Sequence, residues 1–355
     1  MGQSAAIQVY FVDQTTSNPY LELLQRALTA AGVAAARIEF ASIPFMTADD
    51  KPRILHLHWP YNLYSANNYE EQSRKLKAVI DILYRARATG WKIVWTVHNL
   101  VRHDPIFVQA EKAAVAEFVK AADRLICHCE AAAETLIGRF GARRSSITVA
   151  PHPHFADAYP APPPRSVARA RLGLDEGRFI LLAFGMIRPY KGLAALIDLV
   201  TAWPRSDNLV IVAGAPGRGA DVSDLLQRAG DSPNIMLKCE PVSVDAVPVL
   251  FAAANAAVLS YRKITTSGVA VLAHSMGRAV IAPRTGCLPD DIPPSTGILY
   301  PPGCRAGLEQ AIKSLTCERA DAMGQAGRRN ILTRTWDDMA KTLKEIYNEI
   351  SWPIE

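Results

Sequence analysis

Short apolar runs alternate with longer amphipathic stretches along nearly the whole chain. The short runs are rich in Val, Ile and Leu and end at turn residues, which predicts buried strands; the stretches between them carry apolar residues every three to four positions, which predicts helices. In the first half, strands are expected at residues 7–12, 37–40, 54–58, 92–97, 125–129 and 147–150. In the second half they are expected at 179–183, 209–213, 235–237, 256–260 and 279–282. Helices are expected at 19–31, with Asn18 as its cap, and at 69–89, 106–122 and, last, 336–350. Strand–helix alternation of this kind predicts parallel sheets with helices on both faces.

Four prolines among residues 160–164 interrupt the alternation. Proline joins neither a ladder nor a helix interior, so residues 158–168 are expected to be a linker. It separates a first domain over 1–157 from a second over 169–335, and the helix over 336–355 is expected to pack back on the first domain. The fold class expected is α/β, two Rossmann-like doubly wound domains facing a central cleft. Ligands in such sheets sit at the carboxyl ends of the strands, so the loops that follow strands are the ones to read.

Composition narrows the partners. Of 355 residues, 49% are hydrophobic and 21% charged, as in an ordinary globular protein. A net charge of +5, without basic-aromatic patterning, points away from nucleic acid. No apolar run approaches the length of a membrane span, and a strand so near Met1 argues against a leader peptide, so a cytoplasmic location is expected. The six cysteines are scattered, which makes reduced thiols the default, and Cys127-His128-Cys129 reads better as a strand end than as a metal fragment. No metal or other cofactor is expected.

Candidate chemistry sits after the strands. Gly185, Arg188, Lys191 and Gly192 follow one strand and precede a helix, the arrangement that presents backbone N–H groups and cations to a phosphate. Thr265, Thr266, Ser267 and Gly268 form a second such turn about 75 residues on, with Arg262 and Lys263 beside it. Two turns at one sheet end favour a diphosphate ligand, although a solvated β–α turn and simple helix capping would use the same residues. Residues 214–219 are glycine-rich and also fit a flexible loop. In the first half, Asp13 to Asn18, then His56, His58 and Trp59, then His98, Asn99, His103 and Asp104 follow strands. Alternation puts His56 and His58 on one face. Residues 74–92 hold six cations and one acid on an amphipathic helix, with Lys77, Asp81 and Arg85 spaced as a ladder. That segment fits a surface helix or peripheral contact with an anionic membrane, at the inner face of the cytoplasmic membrane.

These motifs resemble those of GT-B glycosyltransferases. The turn from Gly185 to Gly192 is similar to the glycine/lysine turn of the retaining GT4-like group, in which the lysine grips the donor diphosphate. The arginine of that group directly follows the glycine, where this chain has Met186, and its two glutamates correspond to Thr265 and Ala273 here. Asn18-Pro19-Tyr20-Leu21, His56-Leu57-His58-Trp59-Pro60, His98-Asn99-Leu100 with His103, residues 184–192, and Ser267-Gly268 with Ala282-Pro283 resemble a narrower family. It is the bacterial xanthan-type GDP-mannose:glycolipid β-mannosyltransferases. The resemblance implies an inverting transfer from a nucleotide sugar, GDP-mannose, to a lipid-linked acceptor, without a metal. It implies Asp104 as base, with Asp13 and His98 as alternatives. Donor binding would fall to Gly185, Arg188, Lys191, Arg262, Lys263, Thr266, Ser267 and Gly268. Acceptor binding would fall to Asn18, His58, Trp59, Asn99 and His103. Competing readings are a retaining GT4-like transferase, a non-catalytic sugar-nucleotide-binding partner, and a GT-B-like epimerase.

Overall fold

A computed structural model describes residues 7–12, 18–46, 52–102, 104–203 and 208–352. The chain separates into two units, residues 1–152 with 334–355, and residues 153–333.

Unit 1 runs β1 (Gln8–Val12), α1 (Tyr20–Ala30), β2 (Ala34–Ile38), β3 (Arg53–Leu57), α2 (Tyr61–Tyr64), α3 (Tyr69–Ala88), β4 (Lys92–Val97), α4 (Val108–Ala121), β5 (Arg124–Cys127), α5 (Glu130–Phe140) and β6 (Ile147–Val149). Its six strands form one parallel sheet in the order β2-β1-β3-β4-β5-β6. Buried runs such as Ile54, Leu55 and Leu57 on β3, and Ile93, Val94, Trp95 and Val97 on β4, are covered on both faces, which is why these strands read as continuous apolar runs.

Unit 2 runs α6 (Arg165–Leu172), β7 (Phe179–Phe184), α7 (Leu193–Thr201), β8 (Asn208–Ala213), α8 (Val222–Ala229), β9 (Ile235–Lys238), α9 (Ala246–Ala253), β10 (Ala256–Val258), α10 (Gly268–Ser275), β11 (Ala279–Pro283), α11 (Leu288–Asp291), β12 (Gly297–Tyr300), α12 (Arg305–Lys313) and α13 (Cys317–Ile331). Its parallel sheet has the order β12-β11-β10-β7-β8-β9. The chain then enters α14 (Trp336–Ser351), which belongs to unit 1. There it lays Trp336, Met339, Leu343, Tyr347 and Ile350 inward and packs on α1. Arg124 pairs with Glu349, and Lys344 Nζ donates to Ala31 O at 2.7 Å.

The strand order places a topological switch in each sheet. In unit 1 the chain leaves β1 to one side for β2 and returns to the other side for β3. In unit 2, β7 is flanked by β8 and β10. The carboxyl ends of those strand pairs frame the crevices where doubly wound folds take ligands.

Three details differ from the pattern-based expectation. The proline-rich stretch is not a linker up to residue 168: α6 begins at Arg165, packs on α9 and fully buries Ala168. Pro164 stands immediately before its first turn, where a missing N–H costs nothing. The division falls after His152 rather than after 157, because Phe155 is buried in unit 2 and its N–H donates to Ser275 Oγ at 2.9 Å. An edge strand, β12, also follows the expected last strand. No helix among the described residues is long and apolar enough to cross a membrane.

Candidate active site

In unit 2 the turn after β7 is fixed before any ligand arrives. Gly185 N donates to Ala213 O at 2.9 Å, Ile187 N to Ala215 O at 2.8 Å, and Gly217 N to Ile187 O at 2.9 Å. The glycine-rich stretch is thus the partner of the turn. A Cβ on Gly217 would stand 2.6 Å from Arg188 Cδ and 2.7 Å from Met186 Sδ, so a larger residue there would displace both side chains. Pro189–Lys191 makes one 3₁₀ turn, and Gly192 reverses the chain with φ +65°, its open side pressed on the Ser260 carbonyl. Ser260 Oγ donates to Lys191 O at 2.7 Å and Arg262 N donates to Tyr190 O at 2.8 Å. These bonds tie the turn after β7 to the loop after β10, across the switch point.

Lys191 lies at the junction. Its side chain is 4% exposed, and Nζ donates to Phe184 O at 2.7 Å. Nζ is 3.0 Å from the place a Cβ on Gly185 would take, and that place is 3.5 Å from Val269 Cγ2 in the first turn of α10. The two glycine turns therefore converge. Burial first, then the nearby Arg188 charge, lower the Lys191 pKa to about 7. A cation destabilised in this way gains most from an anionic ligand. Ser267 caps α10, accepting from Ala270 N at 3.3 Å, and its hydroxyl also bonds the buried Tyr261, whose ring centre lies 6.0 Å from Lys191 Nζ. Thr266 is buried beside Cys287, with Oγ1 3.6 Å from Sγ. Arg188 donates to Arg218 O at 3.3 Å and, with Arg262, Asp221 and Asp224, lines a cavity of about 170 Å³ beside α7 and α8. Arg262 is thus brought beside Arg188, and Lys263 is exposed.

Unit 1 gathers histidines at its own strand ends. His56 and His58 share a face, with ring centres 4.4 Å apart. His58 Nδ1 is 2.9 Å from His98 Nε2; His98 lies 5.1 Å from His128, and His128 5.0 Å from His152, centre to centre. Tyr20, at the start of α1, packs edge-on against His98, His128 and His152 and against Trp336 of α14. His56 is held by Tyr347 Oη at 2.6 Å and Thr96 Oγ1 at 2.8 Å. Trp59 stacks on His98 at 4.4 Å with φ +35°, the one non-glycine residue of positive φ among those described. Such strain persists only where surrounding packing over-determines it. Asn18 Oδ1 accepts from Tyr20 N at 3.0 Å and so starts α1. Asn99 keeps a shielded Oδ1 that meets no hydrogen-bond donor among the described residues. Asp104 is half-buried in the loop before α4, whereas His98 is 6% exposed. Asp13 and His103 lie outside the described residues.

Burial keeps the imidazoles of His56, His58, His98 and His128 neutral near pH 7. Burial holds His56 at about 3 and His128 at about 4, and drives His58 and His98 well below 6.5, with neighbouring imidazoles adding to the effect on the last two. The unfolded chain, with imidazoles near 6.5, takes up protons before the fold does. Stability is therefore full above about pH 6.5 and falls as the pH drops toward 3. At pH 5, His56 and His128 each remove on the order of 2 kcal/mol. Urea midpoints measured from pH 7.5 to 5 should fall steadily; a flat profile would contradict neutral burial of the cluster.

Comparison with known proteins follows the same division. Residues 34–154 match the family described as Glycosyltransferase Family 4, and residues 178–318 match Glycosyl transferases group 1. The chain belongs to the GT4-type glycosyltransferases. Among relatives of this GT4-type chain, D-inositol 3-phosphate glycosyltransferase of Kineococcus radiotolerans is 25% identical over 90% of this chain and 81% of its own length. The enzyme of that name from Streptomyces avermitilis is 30% identical over 65% of this chain, and the match spans about half, 53%, of that relative's length. GDP-mannose:glycolipid 4-beta-D-mannosyltransferase of Xanthomonas campestris pv. campestris is 25% identical over 80% of this chain and 76% of its own length. The GT-B fold is shared with sucrose-phosphate synthase of Thermosynechococcus elongatus (TM-score 0.76, 18% identity, 97% of this chain and 98% of that one). It is also shared with Anabaena Alr3699/HepE in complex with UDP and glucose (TM-score 0.72, 16% identity, 96% and 99%).

Several residues of this GT4-type site were not singled out by motif. Tyr261 and Ser260 follow β10 without a signature. Tyr20, Trp336 and Tyr347 look like ordinary apolar helix positions. His128 and His152 carried a signal, because one stands in the last residues of a predicted strand and the other just after one.

Proposed function

We propose that this protein is an inverting glycosyltransferase that moves mannose from GDP-mannose to a lipid-linked acceptor. The observation that carries the reading is Lys191 Nζ, buried where the turn after β7 meets the first turn of α10. A departing nucleoside diphosphate needs cations and helix N-termini aimed at its developing charge. Unit 2 supplies Lys191, Arg188 and the Ser267-capped start of α10. Gly185, Thr266 and Gly268 shape that surface, and Arg262 and Lys263 add positive charge beside it. The departure relies on these groups instead of a metal.

Thr265 and Ala273 stand where retaining relatives have glutamates, which supports a single displacement with inversion. A base must then deprotonate the acceptor hydroxyl, and unit 1 supplies Asp104, with Asp13 and His98 as alternatives. His58, Trp59, Asn99, His103 and Asn18 position the acceptor. The Xanthomonas relative supports mannose and a glycolipid. Exposed Arg74, Lys77, Arg85 and Arg87 on α3 suit an anionic bilayer in which such an acceptor resides.

A second reading, a retaining transfer, is favoured by the relatives named D-inositol 3-phosphate glycosyltransferase. A thermal-shift panel of GDP-, UDP- and ADP-sugars identifies the donor through mass action, and NMR of the product's anomeric proton separates the two readings. Stabilisation by GDP-mannose with a β-linked product is expected. An α-linked product would rule out inversion.

A further inference from the structure

At the amino ends of the unit 2 strands, opposite the glycine turns, four arginines crowd together. Arg165 and Arg169 come from α6, Arg278 immediately precedes β11, and Arg328 comes from α13. Asn255, whose N–H donates to Ile180 O at 2.7 Å, places them at the amino ends of β7, β10 and β11. This is about 20 Å, the length of a six-residue strand, from the glycine turns at the carboxyl ends.

The protein supplies few counter-charges there. Arg165 pairs with Asp321 through two bonds. Arg169, 2% exposed, spends its donors on neutral acceptors: Ala253 O at 3.1 Å, Asn255 Oδ1 at 2.9 Å, and the Glu176 carbonyl. Arg278 Nη1 donates to Ala254 O at 3.2 Å and Arg328 Nη1 to Ser275 O at 2.9 Å. Neither has a carboxylate in ion-pairing distance among the described residues, and the shielded Nε atoms of Arg165 and Arg278 find no acceptor there. Burial, then the Arg165 charge, pull Arg278 down to about 10. Charged groups at this depth are normally paired. Arg169 and Arg278 are not, and the half-buried Arg165 and exposed Arg328 carry the cluster to the surface.

We propose that Arg165, Arg278 and Arg328 form a binding site for a phosphate dianion, free or carried as a phosphomonoester, separate from the glycine turns. Guanidinium forks match phosphate oxygens, and a dianion offsets the repulsion within the cluster. Ligand at these strand ends would stabilise the junction of α6, α13 and β11.

The full-length protein is melted in about 20 mM inorganic phosphate or glycerol phosphate against chloride of equal ionic strength, with Arg278→Gln, Arg328→Gln and Lys191→Met variants alongside. Phosphate should raise Tm by about 2 °C or more in the wild type and in Lys191→Met alike, and by less than half as much in Arg278→Gln. Arg328 is exposed on α13, so Arg328→Gln serves if Arg278→Gln does not fold, with the same reduction expected. A larger shift with glycerol phosphate than with inorganic phosphate assigns the site to phosphomonoesters, and the reverse to free phosphate. No phosphate-specific shift in the wild type, or a shift lost in Lys191→Met and intact in Arg328→Gln, would overturn the proposal.

Discussion

Asp104→Asn should lower kcat by about 10²- to 10⁴-fold while leaving the affinity for the nucleotide donor nearly unchanged. The exchange keeps the side chain's shape and removes only its capacity to take the acceptor proton. Its loop is well anchored. Glu111, 1% exposed on α4, accepts from Tyr64 Oη at 2.9 Å and Gln72 Nε2 at 3.4 Å, and bonds the Arg102 backbone. Arg102 in turn donates to Ser65 Oγ at 2.7 Å. Burial raises the Glu111 pKa, while these bonds and the Arg102 charge act in the opposite direction. Steady-state kinetics with saturating donor, together with unchanged melting, make the measurement. Near-normal kcat would move the base to Asp13 or His98. His98 is the weaker candidate, since its burial leaves little basicity.

Lys191→Met should reduce kcat/KM by about 10²- to 10³-fold, the usual cost of losing one preorganised charge at a leaving group. The effect should also appear in binding. In the free protein Lys191 titrates near 7, because burial and the Arg188 charge disfavour its ammonium form. A diphosphate favours that form, so binding below pH 7 finds the cation ready and binding above it must take up a proton. Affinity should be flat below about pH 7 and weaken by up to about tenfold for each pH unit above it. Calorimetry at pH 8 in two buffers of different ionisation enthalpy reads the uptake directly. Lys191→Met should abolish both the uptake and the slope. A wild-type affinity independent of pH between 6.5 and 8.5 would show that Lys191 does not meet the diphosphate.

Legibility in the sequence followed the range of the interactions involved. The alternation of buried strands and amphipathic helices showed two doubly wound α/β units, because burial on both faces writes itself into each strand locally. The Gly185 to Gly192 turn was legible for a similar reason: one turn needs its glycines and cations within a few residues. Residues 214–219 were ambiguous, because Gly217 packs against Met186 and Arg188 some thirty positions away. The proline cluster misled as a linker, because proline marks a helix entry as readily as a hinge, and only the packing of Ala168 against α9 distinguishes them.

By itself the sequence determined most of the secondary elements, though not α6 or β12, together with two anion-cradling turns in one half and the histidines at strand ends in the other. Tertiary structure alone decided that Lys191 is buried at the meeting of those turns and therefore titrates near 7. It also decided that the histidines pack into one cluster around Tyr20, and that four arginines gather at the amino ends of the second sheet's strands. The physical reason is the same in each case. Desolvation and charge repulsion depend on neighbours brought from distant positions, and no local pattern records them.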